Sequence, residues 1–247
     1  MTDRRVVILS VIASALITTM PSRAHAEPRA VVELFTSQGC SSCPPADKLL
    51  GELASDPSII ALSVPIDYWD YLGWKDTLAV PGHTNRQRSY SQARGDREVY
   101  TPQVVVNGTV QTLGSDYGAI ERAITVSRRG GATLPLSLTL TVVNDRLMVV
   151  APAGKSDGTA ADVWLCPLSK AVPVTIGRGE NNGRTVTYHN VVRRWVKLGT
   201  WSGKAETWSL PIADIKGDDV DSVAVLVQTG KSGALGAMLG AATATLQ

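Results

Sequence analysis

The sequence has few aromatic residues, few histidines and no clear excess of either charge. Its 247 residues include one Phe, six Tyr, six Trp and three His, and 24 basic side chains stand against 22 acidic ones. This balance argues against nucleic acid as a partner, because nucleic-acid-binding proteins show a clustered basic excess. The apolar fraction of 44% and the lack of low-complexity tracts argue against a disordered chain. We therefore expect one or two globular domains with buried cores.

A long apolar run that would comfortably span a membrane is also missing, but the N-terminus has a shorter one. Arg4 and Arg5 precede an apolar stretch at residues 6–20, and residues 24–26 are Ala-His-Ala. A basic start, a short apolar stretch and a small-x-small end are typical of a secretory signal peptide. We predict that residues 1–26 are a signal peptide and that the mature chain is periplasmic or secreted, without stable membrane insertion. A retained N-terminal anchor is the alternative.

Export would also set the charge and the redox environment of the mature chain. Residues 1–26 hold three basic residues and one acidic residue, so their removal leaves a formal charge of zero. No net charge then directs the chain towards phosphate groups or membrane surfaces. Disulfides form and persist outside the cytosol, and we interpret the three cysteines in that light.

The sequence pattern changes near residues 128–131, and we predict two domains, residues 27–130 and 131–247. The first segment alternates strand and helix patterns. Its predicted strands are residues 30–35, 59–66, 103–106 and 110–113, the last two forming a hairpin around Asn107-Gly108. Its predicted helices are residues 44–54, with Asp47 on the outward face, residues 84–94, and a last helix that Ser115-Asp116 would cap.

The second segment has short strand patterns separated by Gly, Asn and Asp turns. The predicted strands are residues 136–142, 146–150, 162–166, 172–176, 184–197, 206–210 and 222–228, and residues 230–246 are interpreted as a loop and a final strand. This pattern predicts an antiparallel β-sandwich. The Gly-rich residues 177–183 are followed by a strand pattern rather than a helix, so we predict a turn there and not a phosphate-binding loop.

A Cys-x-x-Cys motif, Cys40 and Cys43, lies between the first predicted strand and the first predicted helix. With Cys40 at the helix N-terminus and Cys43 one turn further, the sulfurs can bond, and the positive end of the helix dipole favours a Cys40 thiolate. A redox pair, a structural disulfide and half of a zinc site all fit this spacing. The redox interpretation requires an accessible Cys40 sulfur. Cys166 lies in an apolar strand pattern and is most simply a buried small side chain.

Thr101-Pro102 directly precedes the predicted strand at residues 103–106. A proline at the start of a strand removes one ladder hydrogen-bond donor, and a bond before proline adopts the cis form at little cost. The order of strand, Cys-x-x-Cys, helix, strand, helix, Thr-Pro, hairpin and helix matches the thioredoxin arrangement. An ordinary trans proline at the start of an edge strand is the alternative.

Five motifs make the sequence resemble a secreted bacterial thioredoxin-like family that is classed as a domain of unknown function. They are residues 31–47, 67–76, 86–88, 100–104 and 179–190. The resemblance implies a thioredoxin-like α/β domain followed by an antiparallel β-sandwich, in which a cis-proline lies beside the cysteine pair. It brings no established reaction. The family pattern leads us to expect a histidine two residues before Asp67, where this sequence has Pro65.

Residues 67–76 are rich in aromatic side chains for a chain that has few of them. As functional residues, Trp69 and Trp74 would line a substrate groove, and Asp67 or Asp70 would accept a proton. As structural residues, the aromatic side chains would anchor a long loop on the core and the acids would cap it or form ion pairs.

The sequence predicts thiol–disulfide exchange as the function. Cys40 would attack a disulfide of a client protein or small thiol, Cys43 would resolve the mixed disulfide, and Thr101 and Pro102 would hold the client backbone. No cofactor and no metal are required, and the redox partner is not indicated. The alternatives are a binding module in which the disulfide is structural, and a periplasmic copper carrier with Cys40 and Cys43 as soft ligands.

Overall fold

The computed structural model describes residues 28–129, 134–155, 158, 160–217, 219–231 and 233–246. The predicted signal peptide lies outside the described residues, and so do residues 130 and 131 at the predicted domain boundary. No helix in the described part of the chain is long and apolar enough to span a membrane.

The first segment contains four strands and three helices in the predicted order. They are β1 (Ala30–Thr36), α1 (Pro44–Leu53), β2 (Ile59–Pro65), α2 (Pro81–Arg94), β3 (Gln103–Val106), β4 (Val110–Leu113) and α3 (Tyr117–Arg128). The predicted cap of the last helix is confirmed, because the Asp116 side chain accepts a hydrogen bond from the Ala119 amide at 2.8 Å. Helix α2 begins three residues earlier than predicted, at a proline that is tolerated in a first turn.

Strands β1 and β2 are buried on both faces and form the centre of the sheet. They pair in parallel from Ala30–Ile59 to Thr36–Pro65, and β3 pairs antiparallel with β1. Helix α1 follows β1, so it begins at the carboxyl end of these strands. This edge of the sheet is where the cysteine motif lies.

The second segment is almost entirely β-structure. Its elements are β5 (Thr139–Val143), β6 (Arg146–Ala151), β7 (Ala161–Thr175), β8 (Thr185–Val192), β9 (Val196–Trp201), β10 (Glu206–Pro211), the short helix α4 (Ile212–Ile215), β11 (Ser222–Lys231) and β12 (Ala234–Thr245). Strand β7 joins two predicted strands, and the single strand predicted at residues 184–197 is instead β8 and the start of β9.

The prediction of a thioredoxin-like domain followed by a separate β-sandwich is wrong. Strand β2 pairs in parallel with β8 through Ser63 and Val191. Strands of both segments therefore lie in one mixed nine-stranded sheet in the order β12-β11-β7-β8-β2-β1-β3-β4, with β9 pairing β7. Strand β2 is buried along its whole length, and a buried edge would leave its amides and carbonyls unpaired. Pairing with β8 satisfies part of that edge.

A second sheet of three strands, β10-β6-β5, packs on the part of the large sheet that the second segment forms. Leu147 and Val149 of β6 share one core with Val163 and Leu165 of β7 and Val225 of β11. The sequence pattern of these strands does not determine which strands are neighbours.

A buried ionic cluster joins the first segment to the last hairpin. Arg86 of α2 donates to Glu33 of β1 at 2.5 Å and to Gln228 of β11 at 2.8 Å. Tyr90 of α2 also donates to Glu33, and Arg86 stacks over the Trp195 ring at 3.9 Å. The neighbouring Glu33 carboxylate raises the pKa of Arg86, although burial opposes this. Every charge in this cluster therefore has a partner of opposite sign or a hydrogen bond.

Candidate functional site

The cysteine motif forms a tight turn between β1 and α1. Cys40 and Cys43 form a disulfide with their Cα atoms 5.4 Å apart. The Cys43 amide donates to the Cys40 carbonyl at 3.2 Å, and Cys43 is the residue that caps α1. Pro44 follows at the first helical position, where the missing amide hydrogen would have no partner in the helix. The cysteines therefore lie at the helix N-terminus, where the helix dipole favours negative charge.

Both cysteines are covered in this disulfide form. Cys40 is 3% exposed and Cys43 is completely buried, whereas Ser41 and Ser42 between them are exposed. The Ser42 hydroxyl lies 3.4 Å from the Cys40 sulfur. An accessible Cys40 sulfur was the condition of the redox interpretation, and the structure does not show it in this state.

The loop after β2 brings Trp69 against the cysteine turn. A Cβ atom added to Gly39 would lie 3.1 Å from the Trp69 Cβ atom, so a larger residue before Cys40 would crowd this contact. The Trp69 indole donates to the Thr101 hydroxyl at 2.8 Å, and its ring stacks on Tyr71 with centroids 6.3 Å apart. Tyr71 is 77% exposed. An aromatic pair therefore extends from the motif to the surface.

The Thr101-Pro102 peptide bond is cis. Pro102 lies close to the first turn of α1, because a Cβ atom added to Gly114 would lie 3.2 Å from the Pro102 Cβ atom and 3.4 Å from that of Ala46. The structure thus brings Thr101, Pro102 and Trp69 to the same side of the cysteine turn.

Trp74 lies elsewhere, against the 177–183 turn. A Cβ atom added to Gly177 would lie 3.0 Å from its ring, and its indole donates to the Gln38 side chain at 2.8 Å. Trp74 is therefore not part of the aromatic pair of Trp69 and Tyr71. It holds the side chain of Gln38, which precedes Cys40 in the turn.

The second segment contributes a contact to the cysteine turn that the sequence analysis missed. The Asn181 amide donates to the Gln38 carbonyl at 3.0 Å and to the Cys40 carbonyl at 2.8 Å, and Asn181 is 1% exposed. Residues 177–183 do form a turn between β7 and β8. Asn181 belongs to the family motif at residues 179–190, but the asparagine pair in this turn is also explained by turn formation alone.

The two acids predicted as proton acceptors have structural partners. Asp67 accepts a hydrogen bond from the Thr84 hydroxyl at 2.5 Å, and Asp70 accepts one from the Asp76 amide at 3.0 Å. The Asp76 carboxylate accepts bonds from the amides of Gln38, Leu78 and Ala79. Asp76 thereby fixes the start of the cysteine turn. Burial raises its pKa even though these amides oppose the shift.

A different acid, Asp47 of α1, lies buried one turn after Cys43. It is 1% exposed, and neither carboxylate oxygen has a hydrogen-bond partner. Burial raises the pKa of Asp47 to about 8, and the nearby Asp76 carboxylate adds to this shift. The Thr36 hydroxyl acts in the opposite direction, although it forms no hydrogen bond of normal geometry with Asp47. The sequence analysis treated Asp47 as an outward-facing helix residue.

The histidine expected at position 65 has no direct replacement at the cysteine turn. His83 of α2 donates from Nδ1 to the Pro65 carbonyl at 2.7 Å, since a carbonyl can only accept. Burial lowers the pKa of His83 to about 4, so its imidazole is neutral at pH 7. It serves to pair a backbone carbonyl at the end of β2.

Cys166 is buried and carries a free thiol in β7. Burial raises the pKa of this thiol far above its ordinary value, which disfavours a reactive thiolate. The residues that the structure describes contain no cluster of three or more His, Cys, Asp or Glu side chains with the spacing of a metal site.

Comparison with known proteins gives two similar solved structures and one matching family. It resembles the crystal structure of protein AGR_C_4864 from Agrobacterium tumefaciens, a structural genomics target, with 33% identity and a TM-score of 0.80 over 89% of this chain and 95% of that one. HBP35 of Porphyromonas gingivalis is 14% identical, with a TM-score of 0.59 over 89% of this chain and 76% of that one, and shares the fold alone. A comparison with curated proteins gave no match. Residues 31–228 match the sequence pattern described as "Protein of unknown function (DUF1223)", and the chain therefore belongs to this family.

Proposed function

We propose that the chain is an exported thiol–disulfide oxidoreductase that acts on protein or small-molecule disulfides through Cys40 and Cys43. The observation that supports this proposal is the cysteine pair at the N-terminus of α1, with Cα atoms 5.4 Å apart. The helix dipole at this position favours a thiolate, which is the nucleophile of disulfide exchange. The signal-peptide pattern of residues 1–26 supports export, into a compartment where such chemistry operates.

The reaction needs only the two thiols and a client disulfide. The Cys40 thiolate attacks one client sulfur and forms a mixed disulfide, and the second client sulfur leaves as a thiolate that takes a proton from solvent. Cys43 loses its proton and attacks the Cys40 sulfur, which releases the first client sulfur. The client gains two electrons and the protein ends as the Cys40–Cys43 disulfide. The reverse sequence oxidises a client dithiol.

Access to Cys40 requires a change at the surface of the disulfide form, because Cys40 is only 3% exposed. The loop that carries Trp69 and Tyr71 is the element that covers Gly39 and reaches solvent. In the proposed function, a client peptide packs on these two rings and pairs with the backbone at Thr101 and Pro102. Trp74 contributes indirectly, through Gln38.

Equilibration of the folded protein with mixtures of reduced and oxidised glutathione tests this function. We expect a reversible two-electron couple that is lost in the Cys40→Ser variant and kept in Cys166→Ser, the matched control with a buried free thiol. Disulfide reductase or oxidase activity should disappear with Cys40 as well. A pair that shows no reversible couple, or activity that survives Cys40→Ser, would overturn the proposal.

A second candidate function is a binding module in which the disulfide is structural, and the burial of both cysteines favours it. A buried disulfide that fixes the turn between β1 and α1 would resist millimolar dithiothreitol until the chain unfolds. The two candidates are separated by reducing the protein across a urea series while following the fold by circular dichroism. Reduction below the unfolding transition supports the oxidoreductase, and reduction only within the transition supports the structural disulfide.

A further inference from the structure

The structure contains a cleft of about 480 Å³ between α2 and the strands of the second segment. Asn85, Arg86 and Ser89 line it from α2, and Asp162 and Trp164 line it from β7. Its size is that of a small-molecule site, because such sites usually measure about 300–1,000 Å³. Neither cysteine of the pair is among the described residues that line it, so a ligand here would bind apart from the proposed redox site.

Two indole rings form the apolar part of the cleft. Trp164 of β7 lies opposite Lys197 of β9 and Leu226 of β11, and Trp195 directly precedes β9. Both tryptophans are half-buried and pack against the core that contains Leu226. The indole nitrogen of each is buried and has no hydrogen-bond partner in the described part of the chain. Only carbon atoms of these rings can therefore meet a ligand, and they offer it an apolar aromatic surface.

Polar side chains of α2 border this surface and still have hydrogen-bonding groups to offer. Arg86 uses Nε and Nη2 for its bonds in the buried ionic cluster, whereas Nη1 has no hydrogen-bond partner among the described residues. Asn85 is exposed, and the Ser89 hydroxyl bonds its backbone carbonyl rather than its side chain. A carboxamide supplies two donor hydrogens and an acceptor, and Nη1 supplies donors alone. The cleft can therefore both donate to a ligand and accept from it.

The charged groups that line the cleft are already paired. Arg86 forms an ion pair with Glu33, and Lys197 forms one with Asp162 at 2.7 Å. The Arg86 side chain is only 5% exposed, so a charged ligand beside it would be largely desolvated. Either sign of charge on the ligand would leave a charge without a partner. This balance favours an uncharged ligand.

We propose that this cleft binds an uncharged sugar of one or two rings. A pyranose ring has C–H groups on its faces and hydroxyls around its edge, and these hydroxyls both donate and accept hydrogen bonds. The Trp164 and Trp195 rings pack against a C–H face. Arg86 Nη1 donates to a sugar oxygen, and the Asn85 carboxamide exchanges hydrogen bonds with neighbouring hydroxyls.

Titration calorimetry of the full folded chain with cellobiose, maltose and diacetylchitobiose tests this site. We expect at least one of the three sugars to bind with a dissociation constant of about 1 mM or lower. Trp164→Leu should weaken that binding about 10-fold or more, because it removes the aromatic surface. Asn85→Ala should weaken it about fivefold, the effect of losing a hydrogen bond.

Each variant has a matched control outside the cleft. Trp208→Leu replaces another half-buried tryptophan, which packs in the second core, and Arg88→Ala replaces another exposed polar side chain of α2. Both controls should bind the sugar as the unmodified chain does. Sugar binding that Trp164→Leu and Asn85→Ala leave unchanged would overturn the inference, and so would the lack of binding of all three sugars at about 10 mM.

Saturation-transfer nuclear magnetic resonance on the unmodified chain gives a readout that does not depend on the folding of a variant. We expect irradiation of the aromatic protons of the protein to saturate the ring C–H protons of the bound sugar. The same measurement with 2-naphthamide, an uncharged flat aromatic amide, separates a sugar site from a general aromatic site. Transfer to 2-naphthamide and to none of the sugars would overturn the inference. These measurements follow binding alone, so their outcome is independent of the proposed redox activity.

Discussion

Two buried acidic sites lie close to β1 and differ in how they are neutralised. Glu33 is surrounded by Arg86, Tyr90 and the Gln228 side chain, and its ion pair with Arg86 has side chains that are 0% and 5% exposed. Asp47 is equally buried but has no partner for either oxygen. The polar groups of the first cluster form hydrogen bonds that join β1, α2 and β11. The second leaves the Asp47 carboxyl without a hydrogen-bond partner beside the cysteine pair, which is unfavourable for stability.

The largest expected effect comes from breaking the satisfied cluster. Arg86→Met leaves Glu33 buried and unpaired, and we expect the free energy of unfolding to fall by about 3–5 kcal/mol. The double variant Glu33→Gln, Arg86→Met should recover part of this loss, because no charge is then left without a partner. Urea unfolding followed by circular dichroism measures both values. If Arg86→Met is as stable as the unmodified chain, the ion pair between Glu33 and Arg86 does not contribute to stability.

The unsatisfied acid should instead appear in the dependence of stability on pH. Burial raises the pKa of Asp47 from its ordinary value of 3.8 to about 8 in the folded chain. Between these values the unfolded chain loses a proton that the folded chain keeps, so the contribution of Asp47 to stability falls as the pH rises. From pH 5 to pH 8 this fall amounts to about 4 kcal/mol.

The measurement is the difference between the unmodified chain and Asp47→Asn in urea unfolding at several pH values. The variant lacks the titrating group, so its stability should gain on that of the unmodified chain as the pH rises towards 8. Parallel curves for the two proteins would show that Asp47 ionises normally in the folded state.

The smallest expected changes in stability come from removing one hydroxyl from each site. Tyr90→Phe removes a hydroxyl that donates to Glu33 and accepts from Arg86 and Gln228, and we expect a loss of about 1–3 kcal/mol. Thr36→Val removes a buried hydroxyl that has no hydrogen-bond partner, and at pH 5 we expect a change below about 1 kcal/mol. Thermal unfolding of both variants at this pH checks the contrast, and equal losses would remove it.

Local structure was largely predictable from the sequence, because it depends on nearby residues. The apolar run at residues 30–35, the Pro44 start of α1, the Asn107-Gly108 turn and the Asp116 cap each appear in the structure close to their predicted bounds. Hydrophobic periodicity and turn chemistry act over a few residues and leave a readable pattern. The Cys-x-x-Cys spacing also identified Cys40 and Cys43 as candidate site residues.

The candidate site was less predictable because its partners come from distant parts of the chain. Asn181 lies 141 residues from Cys40 and contacts its carbonyl through a turn that sequence reasoning could explain without function. Asp47 was interpreted as an exposed helix residue, since the pattern of α1 does not show that β8 and the loop of Asp76 cover that face. Trp69 and Trp74 are both near the motif, but only the tertiary structure shows that Trp69 contacts Thr101 whereas Trp74 holds Gln38.

The sequence by itself determined the order of strands and helices, the place of the cysteine pair at a helix start, and the residues that are apolar enough to be buried. These features follow from the periodicity, the caps and the turns of short segments. Only the tertiary structure decided that β2 pairs with β8, which unites both segments in one sheet, and that Asp47 is buried without a partner. Strand pairing and burial depend on which distant surfaces meet, and a period of two or of 3.6 residues carries no information about the surface on the other side.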